Sequence, residues 1–147
     1  MTEQPESKDN SYQVRPIGYV ENDFDQPTSS KTLRSMVSHI RISPEYADGL
    51  HGIEESRQLN VLFLLHESTG YTLKGPRRGG NVKGVFASRS PHRPNRIGLS
   101  RVELLDRTGP VLLVKNLDAI NDTPVIDIKP YYPGADEIGA DTETGAP

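Results

Sequence analysis

SRVELLDRTGPVLLVKNL, residues 100–117, contains two runs rich in aliphatic residues on either side of Arg107-Thr108-Gly109-Pro110. Gly, Pro and Thr between apolar runs are typical of a tight turn between strands. The stretch therefore predicts a β-hairpin with strands over Ser100–Asp106 and Val111–Leu117.

The remainder of the chain also indicates short strands, because 12 Pro and 13 Gly are spread along its whole length. Ile40 and Ile42 alternate with polar residues, as in a half-buried strand, whereas Leu59–Leu65 is nearly all apolar and predicts a central strand buried on both faces. The further predicted strands are Val14–Glu21, Ser38–Ser43, Leu59–Glu67, Gly84–Ser88 and Val125–Ile128. Closure removes exposed strand edges, so we expect a mainly β, single-domain β-barrel.

One short helix is expected after Ser43, with Pro44 at its first position and glycines soon after to end it. The length of 147 residues suits one domain, which we place at residues 12–138. The polar segments 1–11 and 139–147 are expected to be disordered tails.

Several classes of protein are excluded by composition. The chain has no Cys, which rules out disulfides, thiolate metal sites and a cysteine nucleophile. It has neither a bilayer-length apolar run nor a signal-like N-terminus, so we expect a soluble, cytoplasmic protein. The glycine-rich segment 75–80 matches neither a dinucleotide nor a P-loop motif, and the four His lack paired ligand spacing, so no metal site is predicted.

Charge is distributed unevenly. The net charge is -3, yet the stretch from Lys74 to Arg101 contains eight of the 17 Lys and Arg and no acid. This asymmetry indicates a surface for an anionic partner such as phosphate or RNA, with a solvated basic face as the alternative. Pro91 and Pro94 stiffen the loop that presents the arginines of this stretch, unless the loop only turns between strands.

Two long motifs make the sequence recognisable. Residues 84–100 read GVFASRSPHRPNRIGLS, and residues 117–131 read LDAINDTPVIDIKPY. In this order they resemble the TrmO family, also called TsaA or YaeB-like, of S-adenosylmethionine-dependent tRNA methyltransferases, in its short single-domain form. The resemblance extends from about Arg15 to Ile138.

The resemblance implies a β-barrel methyltransferase that forms homodimers and methylates N6 of threonylcarbamoyl-adenosine next to the tRNA anticodon. It also implies that contacts to the methyl donor come from Asn22, Asp23, Phe24, His66, Glu67, Arg89, Leu99, Asp118, Asn121, Asp122, Thr123 and Pro124. Arg89 can pair with the donor's carboxylate, Leu99 can cover its adenine, and Asp118 or Asp122 can face its amine or sulfonium.

Methylation of a ureido nitrogen benefits from a proton acceptor, for which Asp127, Asp118 and His66 are the candidates. Lys129 can polarise the acceptor's carbonyl or hold a phosphate. Alternatively, Asp127 points to solvent from an alternating strand and Lys129 only pairs with it. The candidate RNA-binding residues are Arg77, Arg78, Lys83, Arg93, Arg96 and Tyr131.

The motifs depart from the family pattern at several positions. Arg96 replaces a Pro, Asn121-Asp122 replaces Asp-Gly, and Asn22-Asp23 replaces Ser-Pro. Without Gly at position 122, we expect the loop to lose its access to positive φ. Two alternative functions remain open: donor-dependent methylation of a small molecule or protein, and a non-catalytic module that binds S-adenosylmethionine or RNA.

Overall fold

The computed structural model describes residues 10–139, so the predicted tails lie almost entirely outside the described residues. The strands are β1 Gly18–Glu21, β2 Val37–Ile42, β3 Gln58–Leu64, β4 Lys74–Pro76, β5 Val82–Gly84, β6 Ile97–Thr108, β7 Val111–Lys115 and β8 Pro124–Pro130. The α-helices are α1 Ser30–Ser35 and α2 Pro133–Asp136, and 3-10 turns cover Pro44–Leu50, Ile53–Glu55 and Val85–Ala87.

Six strands form a closed barrel in the order β1–β2–β7–β6–β3–β8, and β1 pairs with β8 to complete the ring. Every neighbouring pair is antiparallel. The predicted mainly β barrel is therefore confirmed. Strands β4 and β5 form a separate two-stranded hairpin.

Alternating strand directions give the barrel two distinct ends. We call one end the rim: β1, β3 and β7 finish there, and β2, β6 and β8 begin there. Three connections therefore meet at the rim, namely residues 22–36, 65–96 and 116–123. At the opposite end the chain passes through residues 43–57 and the tight turn between β6 and β7.

The barrel interior holds the core. The core residues include Val20, Ile40, Ile42, Leu59, Val61, Phe63, Val102, Leu112, Val114 and Val125. On β3 the inward residues Leu59, Val61 and Phe63 are buried, whereas Leu62 and Leu64 are only half-buried. The expectation that this strand is buried on both faces is wrong, because a strand of a single-walled barrel has one inner face.

The predicted hairpin of β6 and β7 is confirmed. Gly109 takes φ 58° in its turn, a left-handed conformation that suits glycine. Strand β6 is longer than predicted, and its pairing with β7 shifts register between Leu104 and Asp106. This irregularity is consistent with a β-bulge, which increases the local bend of a strand.

Other predicted strands need correction. Residues 84–88 do not form a strand: β5 ends at Gly84, and a 3-10 turn follows in which the Ser88 N–H donates to the Val85 carbonyl. Strand β3 ends at Leu64, short of the predicted Glu67, and the Leu65 N–H donates to the Arg96 carbonyl at the base of the connection that follows. Strand β1 begins only at Gly18, two residues after a proline that lacks a donor.

The helix predicted after Ser43 is a 3-10 helix, and the Ser43 side chain makes no capping bond. Helix α1 was not predicted; Ser29 caps it by accepting a hydrogen bond from the Thr32 N–H. Across residues 10–139, none of the helices is both long and apolar enough to cross a bilayer.

Candidate functional site

The rim gathers residues that are far apart in sequence. Every residue that the resemblance assigns to the methyl donor lies at this end of the barrel: Asn22, Asp23 and Phe24 after β1, His66 and Glu67 after β3, Arg89 and Leu99 before and within the start of β6, and Asp118, Asn121, Asp122, Thr123 and Pro124 between β7 and the start of β8. The antiparallel order of the barrel thus produces one candidate site from three connections.

The side chain of Asn22 joins two of these connections. Its amide nitrogen donates to Ser38 Oγ at 3.1 Å and to the Ala119 carbonyl at 2.9 Å, and its amide oxygen accepts from the Phe24 N–H at 3.0 Å. The Asn22 backbone N–H donates to Asn121 Oδ1 at 3.0 Å. Asn22 therefore fixes the shape of the rim, with both ends of its amide engaged inside the protein.

Asp122 lies in a tight turn that leads into β8. Its N–H donates to the Val20 carbonyl at 2.8 Å, and the buried Thr123 hydroxyl donates to the Ile120 carbonyl at 2.7 Å. Asp122 takes φ 65°, so the expectation that an aspartate would lose the positive φ is wrong. Asp reaches the left-handed region more readily than most side chains do, because its short polar side chain can bond locally.

A cation, two carboxylates and an apolar surface occupy the rest of the rim. Arg89 Nη2 donates to the Leu99 carbonyl at 2.8 Å, while the Arg89 side chain is exposed. Leu99 is 49% exposed. His66 Nε2 lies 3.5 Å from Glu67 Oε1, and Asp118 is half-buried. These groups match an amino-acid zwitterion joined to a flat ring.

Arg93 and Arg96 brace the basic loop. Arg93 Nη1 donates to the carbonyls of Ser88 and Ser90, both at 3.1 Å, and Arg96 Nη1 donates to the Ser68 carbonyl. Arg96 also takes φ 49°, a value that the proline of the family motif cannot adopt. The chain therefore departs from the motif in local backbone as well as in side chain at this position.

His92 fastens the same loop to the turn after β3. Its Nδ1 lies 3.0 Å from the Thr69 carbonyl and 3.0 Å from Ser68 Oγ. A carbonyl only accepts, so Nδ1 carries the proton of the neutral ring. The buried Ser68 hydroxyl donates to the Pro91 carbonyl at 2.9 Å. The connection 65–96 is thus tied across its base.

Asp127 and Lys129 lie on β8, further from the rim than Pro124. Lys129 Nζ is 3.1 Å from Asp127 Oδ2, and both side chains are about half exposed, at 66% and 47% respectively. Asp127 Oδ1 also accepts from the Ile128 N–H at 2.9 Å. The two side chains therefore form a surface ion pair on the outer wall of the barrel.

The structure does not bring the candidate RNA-binding residues together. Arg77 donates to the carbonyls of Thr72 and Lys83 and so braces the β4–β5 hairpin, on which Arg78 and Lys83 are exposed. Tyr131 lies at the opposite end of the barrel, where its ring is 4.1 Å from the Arg101 guanidinium carbon. Its hydroxyl contacts the Glu137 carboxylate, which raises the pKa of Tyr131.

Sequence reasoning missed two buried hydroxyls of the barrel wall. Ser38 and Ser100 are 3% and 7% exposed and point inward in register with Ile40 and Val102. Each hydroxyl accepts a hydrogen bond from a rim connection, Ser38 from Asn22 and Ser100 from the Asp118 N–H. A polar residue at an inward position of an alternating strand was the available signal.

Among the grooves formed by residues 10–139, two on the outer wall of the barrel are the best defined. One has a volume of about 250 Å³ and is lined by His39, Asp106, Thr108, Val111 and Leu113. The other has a volume of about 580 Å³ and is lined by Arg57, Gln58, Arg101, Val102, Glu103 and Asn116. Neither groove includes a residue assigned to the methyl donor.

Comparison with known proteins gives consistent results. The family model for the tRNA-methyltransferase O N-terminal domain matches residues 18–137. A probable S-adenosyl-L-methionine-binding protein of Methanothermobacter thermautotrophicus is 42% identical over 136 residues, which cover 89% of this chain and 98% of that protein. The tRNA (adenine(37)-N6)-methyltransferase of Escherichia coli is 35% identical over 143 residues, covering 87% of this chain and 61% of the enzyme.

A crystal structure of TrmO superposes with a TM-score of 0.71 at 32% sequence identity and covers 92% of this chain. The chain spans only 62% of that structure, and so corresponds to part of the longer enzymes. The closed barrel, the structural similarity to TrmO and the match of the family model over residues 18–137 agree: the chain belongs to the tRNA-methyltransferase O family.

Proposed function

We propose that this protein transfers the methyl group of S-adenosylmethionine to N6 of threonylcarbamoyl-adenosine next to the anticodon of tRNA. The observation that carries the proposal is that the residues assigned to the donor by resemblance converge at one rim in a member of this family. The similar proteins named above bind this donor or methylate adenine 37 of tRNA, according to their names.

The rim residues fit the donor chemically. Its carboxylate requires a cation, its ammonium and sulfonium require an anion, and its adenine requires apolar surface. The exposed guanidinium of Arg89, the carboxylate of Asp118 and the exposed side chain of Leu99 supply these three. We assign Arg89 to the carboxylate, Asp118 to the positive groups and Leu99 to the ring.

When bound, the donor supplies an electrophilic methyl carbon on a positively charged sulfur. The acceptor N6 forms the new C–N bond as the C–S bond breaks, its proton passes to a base, and the sulfur leaves as a neutral thioether. The protein's main task is to hold the nitrogen in line with the methyl carbon, because positioning accounts for much of the rate of such reactions.

His66 is the residue to which we assign the proton. It lies at the rim, its Nε2 is 3.5 Å from Glu67 Oε1, and an imidazole nitrogen can accept a proton as a general base. Asp127 is already paired with Lys129 on the outer wall, and Asp118 is assigned to the donor.

The tRNA is held in this proposal by the β4–β5 hairpin. Lys74, Arg78 and Lys83 are exposed there. The guanidinium groups of Arg77, Arg93 and Arg96, by contrast, each donate a hydrogen bond to a carbonyl of the protein itself. Hairpin cations are therefore better placed to neutralise phosphates than the arginines of the stiff loop. Because the acceptor is tRNA, we also propose a cytoplasmic location.

A homodimer is part of the proposal. Connection 65–96 and the start of β6 expose large apolar side chains besides Leu99, namely Tyr71, Leu73, Val82, Phe86 and Ile97. Phe86 is 80% exposed. Large exposed apolar side chains on one connection are typical of protein interfaces, and a two-stranded hairpin is only marginally stable without a partner. We propose that a second copy covers part of this surface across a two-fold axis.

The test of the activity is nucleoside mass spectrometry of tRNA incubated with the protein and labelled S-adenosylmethionine. We expect one added methyl on threonylcarbamoyl-adenosine, lost with Arg89→Ala and retained with Arg57→Ala, an exposed arginine at the opposite end of the barrel. If tRNA lacking the threonylcarbamoyl group is methylated equally well, the proposed acceptor is wrong. Transfer that survives Arg89→Ala would remove Arg89 from the donor site.

The dimer is tested by sedimentation velocity. We expect a dimer for the wild-type chain and a monomer for Phe86→Glu, because a carboxylate in an apolar interface lacks a partner. Glu45→Gln, an exposed change in the 3-10 turn at the opposite end, serves as control. A wild-type monomer at micromolar concentration would contradict the proposal.

A further inference from the structure

The short segment from Asn116 to Asp118, directly after β7, is fastened to β6 at two points. Asn116 Nδ2 donates to the Arg101 carbonyl at 2.7 Å, and the Asp118 N–H donates to Ser100 Oγ at 3.2 Å. Leu117, between them, is fully buried in the core. Three consecutive residues are thus held against neighbouring positions of one strand.

Asn116 turns the chain at the end of β7 in an unusual conformation. It takes φ 78°, and the other non-glycine residues with positive φ within residues 10–139 are Arg96 and Asp122. All three lie in connections at the rim. Such conformations cost free energy and persist where the surrounding structure determines them, often at functional sites.

Ser100 contributes a hydroxyl at an inward position of the barrel wall. Its neighbour on the same face of β6, Val102, belongs to the aliphatic core. A hydroxyl adds nothing to apolar packing and must find a partner when it is buried. Here that partner is the backbone N–H of Asp118, the residue assigned to the positive groups of the methyl donor.

We propose that Ser100 and Asn116 are positioning residues that hold Asp118 in place for S-adenosylmethionine, without touching the donor themselves. This inference rests on the proposed function. Ser100 and Asn116 fix the backbone on both sides of Leu117, so the Asp118 carboxylate is already ordered before the donor binds. Less conformational entropy is then lost on binding, and the donor affinity is higher.

Calorimetric titration of the full chain with S-adenosylmethionine tests the proposal. Loss of one such hydrogen bond predicts an affinity about five- to tenfold weaker for Ser100→Ala. Ser100→Thr keeps the hydroxyl and should restore affinity to within about threefold. Asn116→Gly deletes the side-chain amide but still reaches positive φ. Asn116→Ala loses both the amide and the easy access to positive φ, so of the two Asn116 variants it should bind the donor more weakly.

A double-mutant cycle with Asp118→Asn separates positioning from general damage to the fold. If Ser100 acts through Asp118, Ser100→Ala should change affinity by less than about twofold in the Asp118→Asn background. The matched control is Asn60→Ala, which deletes a hydrogen bond of 2.9 Å from the Asn60 side-chain amide to the Asp136 carboxylate on the outer surface. It should leave donor affinity unchanged.

In the methylation assay, Ser100→Ala should raise KM for the donor and leave kcat at saturating donor nearly unchanged. The proposal is overturned if Ser100→Ala weakens binding equally in both backgrounds, or if Asp118→Asn binds like the wild type. Failure of the proposed function has a different signature: wild-type protein that does not bind the donor at all, or that binds it and methylates no tRNA.

Discussion

The ring of Phe63 occupies the space that a side chain on Gly98 would need. The two residues face each other across β3 and β6, and a Cβ built on Gly98 would lie 2.3 Å from Phe63 Cε2 and 2.6 Å from Cζ. Gly98 follows the first residue of β6 and precedes Leu99 at the rim. Packing against Phe63 therefore explains why the motif has glycine between Ile97 and Leu99.

Gly98→Ala should destabilise the protein by about 1–3 kcal/mol, since the added methyl group must displace a buried ring. Urea denaturation measures the change. Gly49→Ala is the control, because a Cβ at Gly49 meets no atom within 4 Å, and its effect should stay within about 0.5 kcal/mol. Phe63→Leu should recover part of the loss in the Gly98→Ala background. Equal effects at the two glycines would refute the packing argument.

Replacing Asp122 by Gly or by Ala tests the positive φ of the turn before β8. Gly adopts φ 65° without strain, whereas Ala has neither the freedom of Gly nor the local hydrogen bonding of Asp. We expect Asp122→Ala to be less stable than Asp122→Gly by about 1 kcal/mol in thermal or urea unfolding. An alanine variant as stable as the glycine variant would show that the turn relaxes to another conformation.

His66→Gln should reduce kcat about a hundredfold or more, in line with the loss of a general base. KM for S-adenosylmethionine should change far less, because the carboxylate, ammonium and ring contacts are assigned to other residues. Single-turnover methylation of tRNA at saturating donor gives the rate. His51→Gln, an exposed histidine at the opposite end, is the control. If His66→Gln kept the wild-type kcat, another residue would have to act as the base.

Arg78→Ala and Lys83→Ala should weaken tRNA binding, and each should reduce the slope of log affinity against log salt by about 0.7–0.9. Arg93→Ala should leave that slope nearly unchanged, because part of its guanidinium is bonded to the Ser88 and Ser90 carbonyls. Filter binding across a salt series distinguishes the two classes. A slope that changes only for Arg93 would assign the phosphate contact to the loop instead of the hairpin.

The ion pair of Glu21 and Arg41 predicts a dependence of stability on pH. Arg41 Nε donates to Glu21 Oε1 at 2.6 Å, and this bond lowers the pKa of Glu21. The pair therefore stabilises the fold fully above the unfolded pKa of about 4.3, and the contribution disappears as pH falls through the lowered pKa.

Comparison of wild-type protein with Glu21→Gln by urea unfolding checks this dependence. The wild type should be slightly more stable at pH 7, and the difference should vanish by about pH 3. The effect is small because both side chains are about half exposed. A difference that grows in acid would have the wrong sign and would contradict the assignment.

The sequence predicted the parts of the fold that follow from local pattern. Alternation placed Ile40 and Ile42 inward, and turn composition located the β6–β7 hairpin. The 3-10 turn at Val85–Ala87 was mistaken for a strand, because a short apolar run does not distinguish a pleated strand from a tight turn. The closed order of the strands depends on pairings between distant segments, which periodicity alone does not define.

For the candidate site, the motifs identified the residues, and the structure showed which of them contact one another. That Arg96 braces the Ser68 carbonyl was not visible in the sequence, where Arg96 was a candidate RNA-binding residue and a departure from the family motif. The bond that Asn22 makes to the Ala119 carbonyl joins segments almost a hundred residues apart, and no local pattern encodes such a contact. Strand order at the rim was required to bring these segments together.

The bond from the Leu65 N–H to the Arg96 carbonyl has a consequence for how this barrel can diversify. It closes the connection 65–96 at its base, so β3 and β6 are joined as if by a short turn. The entropy cost of closing a loop grows only slowly with its length. Connections of other lengths and charges can therefore be grafted between the same two strands, which gives one scaffold a route to new acceptors while its wall stays unchanged.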